Sequence, residues 1–190
     1  MTPVKPRRVP TPALLPPPAP HATDGAWELA LCGELNEKES DLHKDLIDVP
    51  EGSRGTIYID SGGGSVYAGM ALATLIRLRR LQATAVVVAE CSSAAILPFA
   101  ACQKRLVLPH STFLFHPGRW SSEEDARLEE AAEWARQFAV QEKMFDEIIA
   151  RLLSIPVDKL RGWTHPGRYL MGAELVDEGL AEMTSIFEEK

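Results

Sequence analysis

The chain has 190 residues, 45% hydrophobic and 25% charged, with a formal net charge of −7. That length and balance predict one soluble globular domain and exclude a disordered chain. The acidic excess argues against a nucleic-acid-binding surface, no apolar run reaches the ~18 residues of a membrane span, and no apolar block follows the basic N-terminus as a secretory signal requires.

Residues 1–24 read as a Pro-rich leader, with the run VPTPALLPPPAP at its centre. Proline has a fixed φ and no amide donor, so this stretch joins neither sheet nor helix interior. A folded domain is expected over 25–190. Trp27 to Leu31 alternates and meets Gly33, which predicts a strand ending in a turn. Leu42, Leu46 and Ile47 fall at helical spacing inside 36–47, stopped by Pro50 and Gly52. Thr56 to Ile59 is β-branched and aromatic and predicts a core strand, with a turn over Asp60 to Gly64. Val66 to Leu81 repeats apolar residues at three and four, and arginines gather near its end, where the helix dipole is negative. The order strand, turn, helix, strand continues through Thr84–Val88, a helix from Ser93 to Ala101, and strands at Arg105–Leu108 and Thr112–Phe115. A long helix is then expected to about Leu153, opened by a serine cap at Ser121 or Ser122 and three acids. Its apolar stripe includes Trp134 and Phe138, and its length suggests an arm that packs on another subunit. A short helix at 157–162, a turn over 164–167, a helix at 173–178 and a terminal strand within 180–186 complete the reading. Alternating strands and helices predict an α/β core with crossover connections.

The three cysteines, Cys32, Cys91 and Cys102, have no metal-ligand spacing and form no even disulfide set. They read as reduced, buried small residues of a cytoplasmic protein. No metal or cofactor is expected: neither phosphate-cradling glycine pattern is present, and Gly62-Gly63-Gly64 is by itself only a turn.

Acyl transfer to a serine needs a hydroxyl, a base and backbone donors for the oxyanion. Ser93 stands among small residues where a strand gives way to a helix, with Ser92 as the neighbouring rival. His116 closes the strand Phe113-Leu114-Phe115, and His110 on the preceding turn is its rival. Alone, each has an ordinary structural explanation: a helix cap, a core histidine. Cys91 carries no partner pattern that would mark it as a nucleophile.

Together these pieces resemble the proteolytic subunit of the Clp protease, within the wider Clp/crotonase superfamily, over about Leu29 to Ile186. Ile59-Asp60-Ser61-Gly62-Gly63-Gly64-Ser65-Val66 is similar to the family's I-N-S-P-G-G-S-V segment. Ala89 to Ala95 falls on G-x-A-A-S-M-G, and Pro109 to His116 on P-N-S-x-x-M-I-H. The resemblance implies a Clp/crotonase-like fold of repeated β-β-α units with a protruding handle helix. It implies a serine endopeptidase with Ser93 as nucleophile, His116 as base and the amides of Gly64 and Ala94 as oxyanion hole. It also implies peptide or unfolded-protein substrates and a homo-oligomer of stacked rings. Two departures follow. The family's triad aspartate lies in an R-D-x-F pattern; here Pro166-Gly167-Arg168-Tyr169-Leu170 takes its place, with Gly167 at the acid's position. Glu90, Glu124 and Glu174 are candidate substitutes. The family's N-terminal axial-loop segment has proline in its place, which puts an AAA+ ATPase partner in doubt. The alternatives are a pseudo-peptidase ring subunit and a crotonase-type acyl-CoA enzyme, which shares fold and oxyanion hole.

Overall fold

The computed structural model describes residues 26–36, 40–120 and 125–187. The Pro-rich leader, the expected serine cap of the long helix and Glu124 lie outside them. Among the described residues, seven strands and six α-helices follow one another as β1 (Trp27–Leu35), α1 (Ser40–Asp48), β2 (Arg54–Gly64), α2 (Val66–Leu78), β3 (Gln82–Cys91), α3 (Ile96–Ala101), β4 (Lys104–Val107), β5 (Thr112–Phe115), α4 (Leu128–Leu153), α5 (Val157–Thr164), β6 (Arg168–Met171), α6 (Gly172–Asp177) and β7 (Glu182–Met183). The main sheet is parallel in the order β1-β2-β3-β4-β7. This is the α/β architecture expected from the alternation of elements.

Parallel central strands are covered on both faces and so carry nearly continuous apolar runs. Ile57, Ile59, Ala83, Ala85 and Val87 are all buried in β2 and β3. Residues Ile96 to Ala101 of α3 are buried throughout, and α2 packs over them with Leu72, Ala73 and Ile76. Gly69 of α2 sits so close to the Ala94 carbonyl that a β-carbon would collide with it. This glycine sets the separation between α2 and the start of α3.

Near its C-terminal end, where Cys91 still pairs with Ser61 of β2, β3 also joins a second, smaller sheet. There Glu90 pairs with Thr112 of β5, which in turn pairs antiparallel with β6. The β4–β5 turn is held down by buried Ser111, whose Oγ donates to the Val87 carbonyl at 2.8 Å and accepts from the Leu108 amide at 2.9 Å. Phe113 and Phe115 anchor β5 inward, against Phe99 and Trp163 with ring centroids 5.2 and 5.4 Å apart. A strand fixed at one end and along one face delivers the next residue, His116, to a definite place.

Several sequence expectations are corrected. Gly62, Gly63 and Gly64 form no turn: β2 runs through them, and Gly63 and Gly64 pair with Glu34 and Leu35 of β1. Likewise Gly33, at φ +83°, lies inside β1, where the register shifts between Cys32 and Glu34. In both strands the glycines let the chain kink without leaving the ladder. The expected helix from Ser93 opens with a 3₁₀ turn, Ser93–Ala95, before α3. Cys32 is exposed, while Cys91 and Cys102 are buried as expected. The terminal strand shrinks to two residues, and β6 fills the stretch between the 164–167 turn and the next helix, where no element was expected.

Candidate active site

β3 ends at Cys91, and the chain turns at Ser92 and Ser93 into the 3₁₀ turn. The turn is pinned from below. The Ser92 amide donates to the Ser61 carbonyl at 2.9 Å. Ser92 is buried, and its Oγ accepts from the Leu114 amide at 3.0 Å. Its hydroxyl therefore ties the turn to β5. Ser93 is half-buried and stands at φ +55°, in the left-handed region that L-residues enter at a cost. A serine held at positive φ where a strand gives way to a helix is an outlier of the kind that clusters at functional sites. Ser93, Ala94 and His116 line one cleft, together with Val66, Leu97, Phe115, Phe138 and Phe145.

The glycine strand end closes on this turn from the side. A β-carbon on Gly63, whose φ is +95°, would lie 2.6 Å from Ser93 Cβ, 2.7 Å from the Ser92 carbonyl oxygen and 2.9 Å from the Ala94 amide. Only glycine permits that approach. Ser61, also buried, organises the segment: its Oγ donates to the Gly33 carbonyl at 2.5 Å and accepts from the Gly63 amide at 3.2 Å. Gly64, the expected oxyanion donor, pairs with Leu35 of β1 beside this turn and is not among the residues lining the cleft.

His116 is half-buried at the end of β5, and its Nδ1 lies 2.6 Å from the Pro117 carbonyl oxygen. Its rival His110 is in another cleft, with Nε2 3.2 Å from the Val88 carbonyl oxygen. Gly167 is next to His116: a β-carbon there would be 3.4 Å from His116 Cβ. Arg168, the next residue, donates from its Nη2 to Glu174 at 2.8 Å. Both residues lack a carboxylate. Glu174 is occupied elsewhere: the Met171 amide and then Arg168 hold its carboxyl below the usual range. Glu90 lies over Gly62 rather than in the cleft.

The acids that do line the cleft are Glu142 and Asp146, both from α4. The sequence reading missed them. Asp146 is 7% exposed, with its Oδ2 3.4 Å from Arg161 Nε and 3.6 Å from His165 Nε2. An acid within the spacing of an apolar helix stripe was the available signal.

Over residues 47–188 the sequence matches the family model described as Clp protease. The chain belongs to the Clp protease family. Its fold agrees: an asparagine-to-aspartate mutant of ClpP1 from Listeria monocytogenes superposes with a TM-score of 0.72, covering 82% of this chain and 89% of that one at 22% identity. The mixed α/β arrangement is thus that of a Clp protease subunit. Among the described residues, no helix is long and apolar enough to cross a membrane.

Proposed function

We propose that this Clp protease family member is a serine endopeptidase acting through Ser93 and His116. The observation that carries the reading is the shared cleft: a half-buried serine at a strained turn and a histidine at a pinned strand end, with the competing Ser92 hydroxyl bonded to Leu114. Ser93 Oγ attacks the peptide carbonyl while His116 takes its proton and passes it to the leaving amine. The amides of Ala94 and Gly64 receive the oxyanion. The choice of Gly64 follows the family resemblance, and the Gly63 amide beside it is already given to Ser61. Apolar walls from α2, α3 and α4 suit an unfolded peptide.

Assembly into a homo-oligomer through α4 is part of the same proposal. Of the 26 residues of this helix only Asp146, Ala150 and Leu153 are buried, all in its last third. Leu128, Trp134, Val140 and Met144 stay exposed, the composition of a contact face. A monomer in light scattering at micromolar concentration would contradict it. Free thiols at Cys32, Cys91 and Cys102 fit a reducing cytoplasm. The test of the site is labelling by a fluorophosphonate probe, expected in wild type and lost in Ser93→Ala. Equal labelling of both removes Ser93 as the nucleophile.

A second reading, a pseudo-peptidase ring subunit, is favoured by Gly167 and Arg168, which give His116 no carboxylate. Peptide hydrolysis by the purified protein, abolished in His116→Ala, would eliminate it.

A further inference from the structure

The contact at His116 Nδ1 decides how a histidine without an acid can be oriented. A carbonyl oxygen offers only lone pairs. A separation of 2.6 Å from Nδ1 to the Pro117 oxygen is therefore attractive only when Nδ1 carries the proton and donates it. We infer that the Pro117 carbonyl is the positioning group of this site: it holds neutral His116 as the Nδ1–H tautomer and leaves the Nε2 lone pair for the Ser93 hydroxyl. The inference rests on the reading of Ser93 and His116 as nucleophile and base.

A triad acid does two things, fixing the tautomer and stabilising the imidazolium. A backbone carbonyl does the first completely and the second weakly, since hydrogen bonds to an ionised partner are roughly twice as strong. In the acylation step, the Ser93 Oγ–carbon bond forms as the hydroxyl proton moves to His116 Nε2, and the carbonyl electron pair moves onto the oxyanion. Nδ1–H stays bonded to Pro117 throughout. Collapse of the intermediate breaks the C–N bond, and the leaving amine takes the Nε2 proton. Atoms and charges balance with no further group. Losing the tautomer in a serine triad costs about 10⁴ in turnover, so this contact separates a slow peptidase from an inert one. Proline suits the role because its ring fixes φ near −65°, which narrows the directions its carbonyl can face. Gly167, beside the His116 Cβ, brings no side chain that could compete for Nδ1.

The test is ¹⁵N magic-angle-spinning NMR of the full chain labelled with [¹⁵N]histidine, with a His116→Gln difference spectrum to assign the signal. In the uncharged form of the ring, the expected spectrum has a protonated Nδ1 and a bare Nε2 at His116. An Nε2–H tautomer, or a mixture of the two, overturns the proposal. Pro117→Ala keeps the carbonyl but releases φ, so its tautomer purity and kcat should fall between those of wild type and Pro117→Gly. Pro117→Gly frees the carbonyl and should give a tautomer mixture, with kcat on a short peptide substrate down about tenfold or more and KM within about twofold. A folded glycine variant that retains the single tautomer and full kcat overturns the proposal; if it fails to fold, the wild-type tautomer decides. Fluorophosphonate labelling of the same sample separates the two claims. Labelled Ser93 beside an Nε2–H His116 removes the role of Pro117 and leaves the nucleophile standing. An unlabelled Ser93 removes the catalytic reading itself, whatever the tautomer.

Discussion

Replacing Ser93 by glycine and by alanine separates the strain at the turn from the chemistry of its hydroxyl. At ordinary positions glycine is less stable than alanine by roughly 0.5–1 kcal/mol, because the unfolded chain gains freedom. Ser93 is not ordinary, since its φ is +55°. An L-residue held there costs roughly 1–2 kcal/mol, and glycine removes that cost. The two effects oppose each other, and the larger wins: Ser93→Gly should be more stable than Ser93→Ala by about 0–1.5 kcal/mol. For a chain of this size that is a melting temperature from equal to about 6 °C higher. Both variants should be unreactive toward a fluorophosphonate, so the gain in stability accompanies loss of the nucleophile. The assay is thermal unfolding at matched protein concentration, because assembly makes the midpoint concentration-dependent. A glycine variant melting about 2 °C or more below the alanine variant would refute the claim that the turn is strained at Ser93.

Ser92→Ala should behave in the opposite sense: it orphans the Leu114 amide, lowers stability by about 1–3 kcal/mol in denaturant titrations, and leaves Ser93 labelling intact. Thiol titration with Ellman's reagent should find Cys32 reactive in the native protein, and Cys91 and Cys102 reactive only after unfolding. Burial pushes the Cys91 thiol well above its usual range and the Cys102 thiol up to about 12, Arg105 opposing the latter. At Glu174 the Met171 amide and Arg168 favour the ionised form, so the folded pKa lies below the unfolded value of about 4.3. Its stabilising contribution is therefore present above that value and lost as pH falls through the folded pKa. The advantage of wild type over Glu174→Gln should shrink between about pH 5 and pH 3 in urea unfolding.

How much of this could be read from the residues depended on where each signal resides. β5 was placed at its observed limits because a turn and Pro117 bracket a run of apolar and β-branched residues. Gly62-Gly63-Gly64 gave the wrong local structure because glycine runs signal turns. What decides here is pairing with Glu34 and Leu35 of β1, a tertiary fact. β6 is four residues without alternation, made a strand by its register with β5. Ser93 was preferred to Ser92 only with the help of a family pattern; the physical distinction between them, a Ser92 hydroxyl bonded to the Leu114 amide, lies across the fold. Asp146 interrupts an apolar stripe and by itself suggests a solvent-facing position, until Arg161 and His165 are brought to it. The Pro117 carbonyl carries no side-chain signal at all.

The separation of the acid's two tasks also divides them between different parts of the molecule. Tautomer control sits at the end of β5, one residue beyond a strand tied down by Ser111 and Phe115, and so belongs to the rigid core. Negative charge reaches the cleft only from Glu142 and Asp146 among its lining residues. Both are on α4, whose buried residues all fall in its final turns. Neither acid makes a hydrogen bond to His116, so whatever they add to imidazolium stability acts through space. That contribution grows as water leaves the cleft. Packing α4 against a second subunit would dry and fix the wall that carries these charges, while leaving the Nδ1 contact unchanged. Assembly should accordingly raise kcat without altering the His116 tautomer, because the two depend on separate elements of the fold.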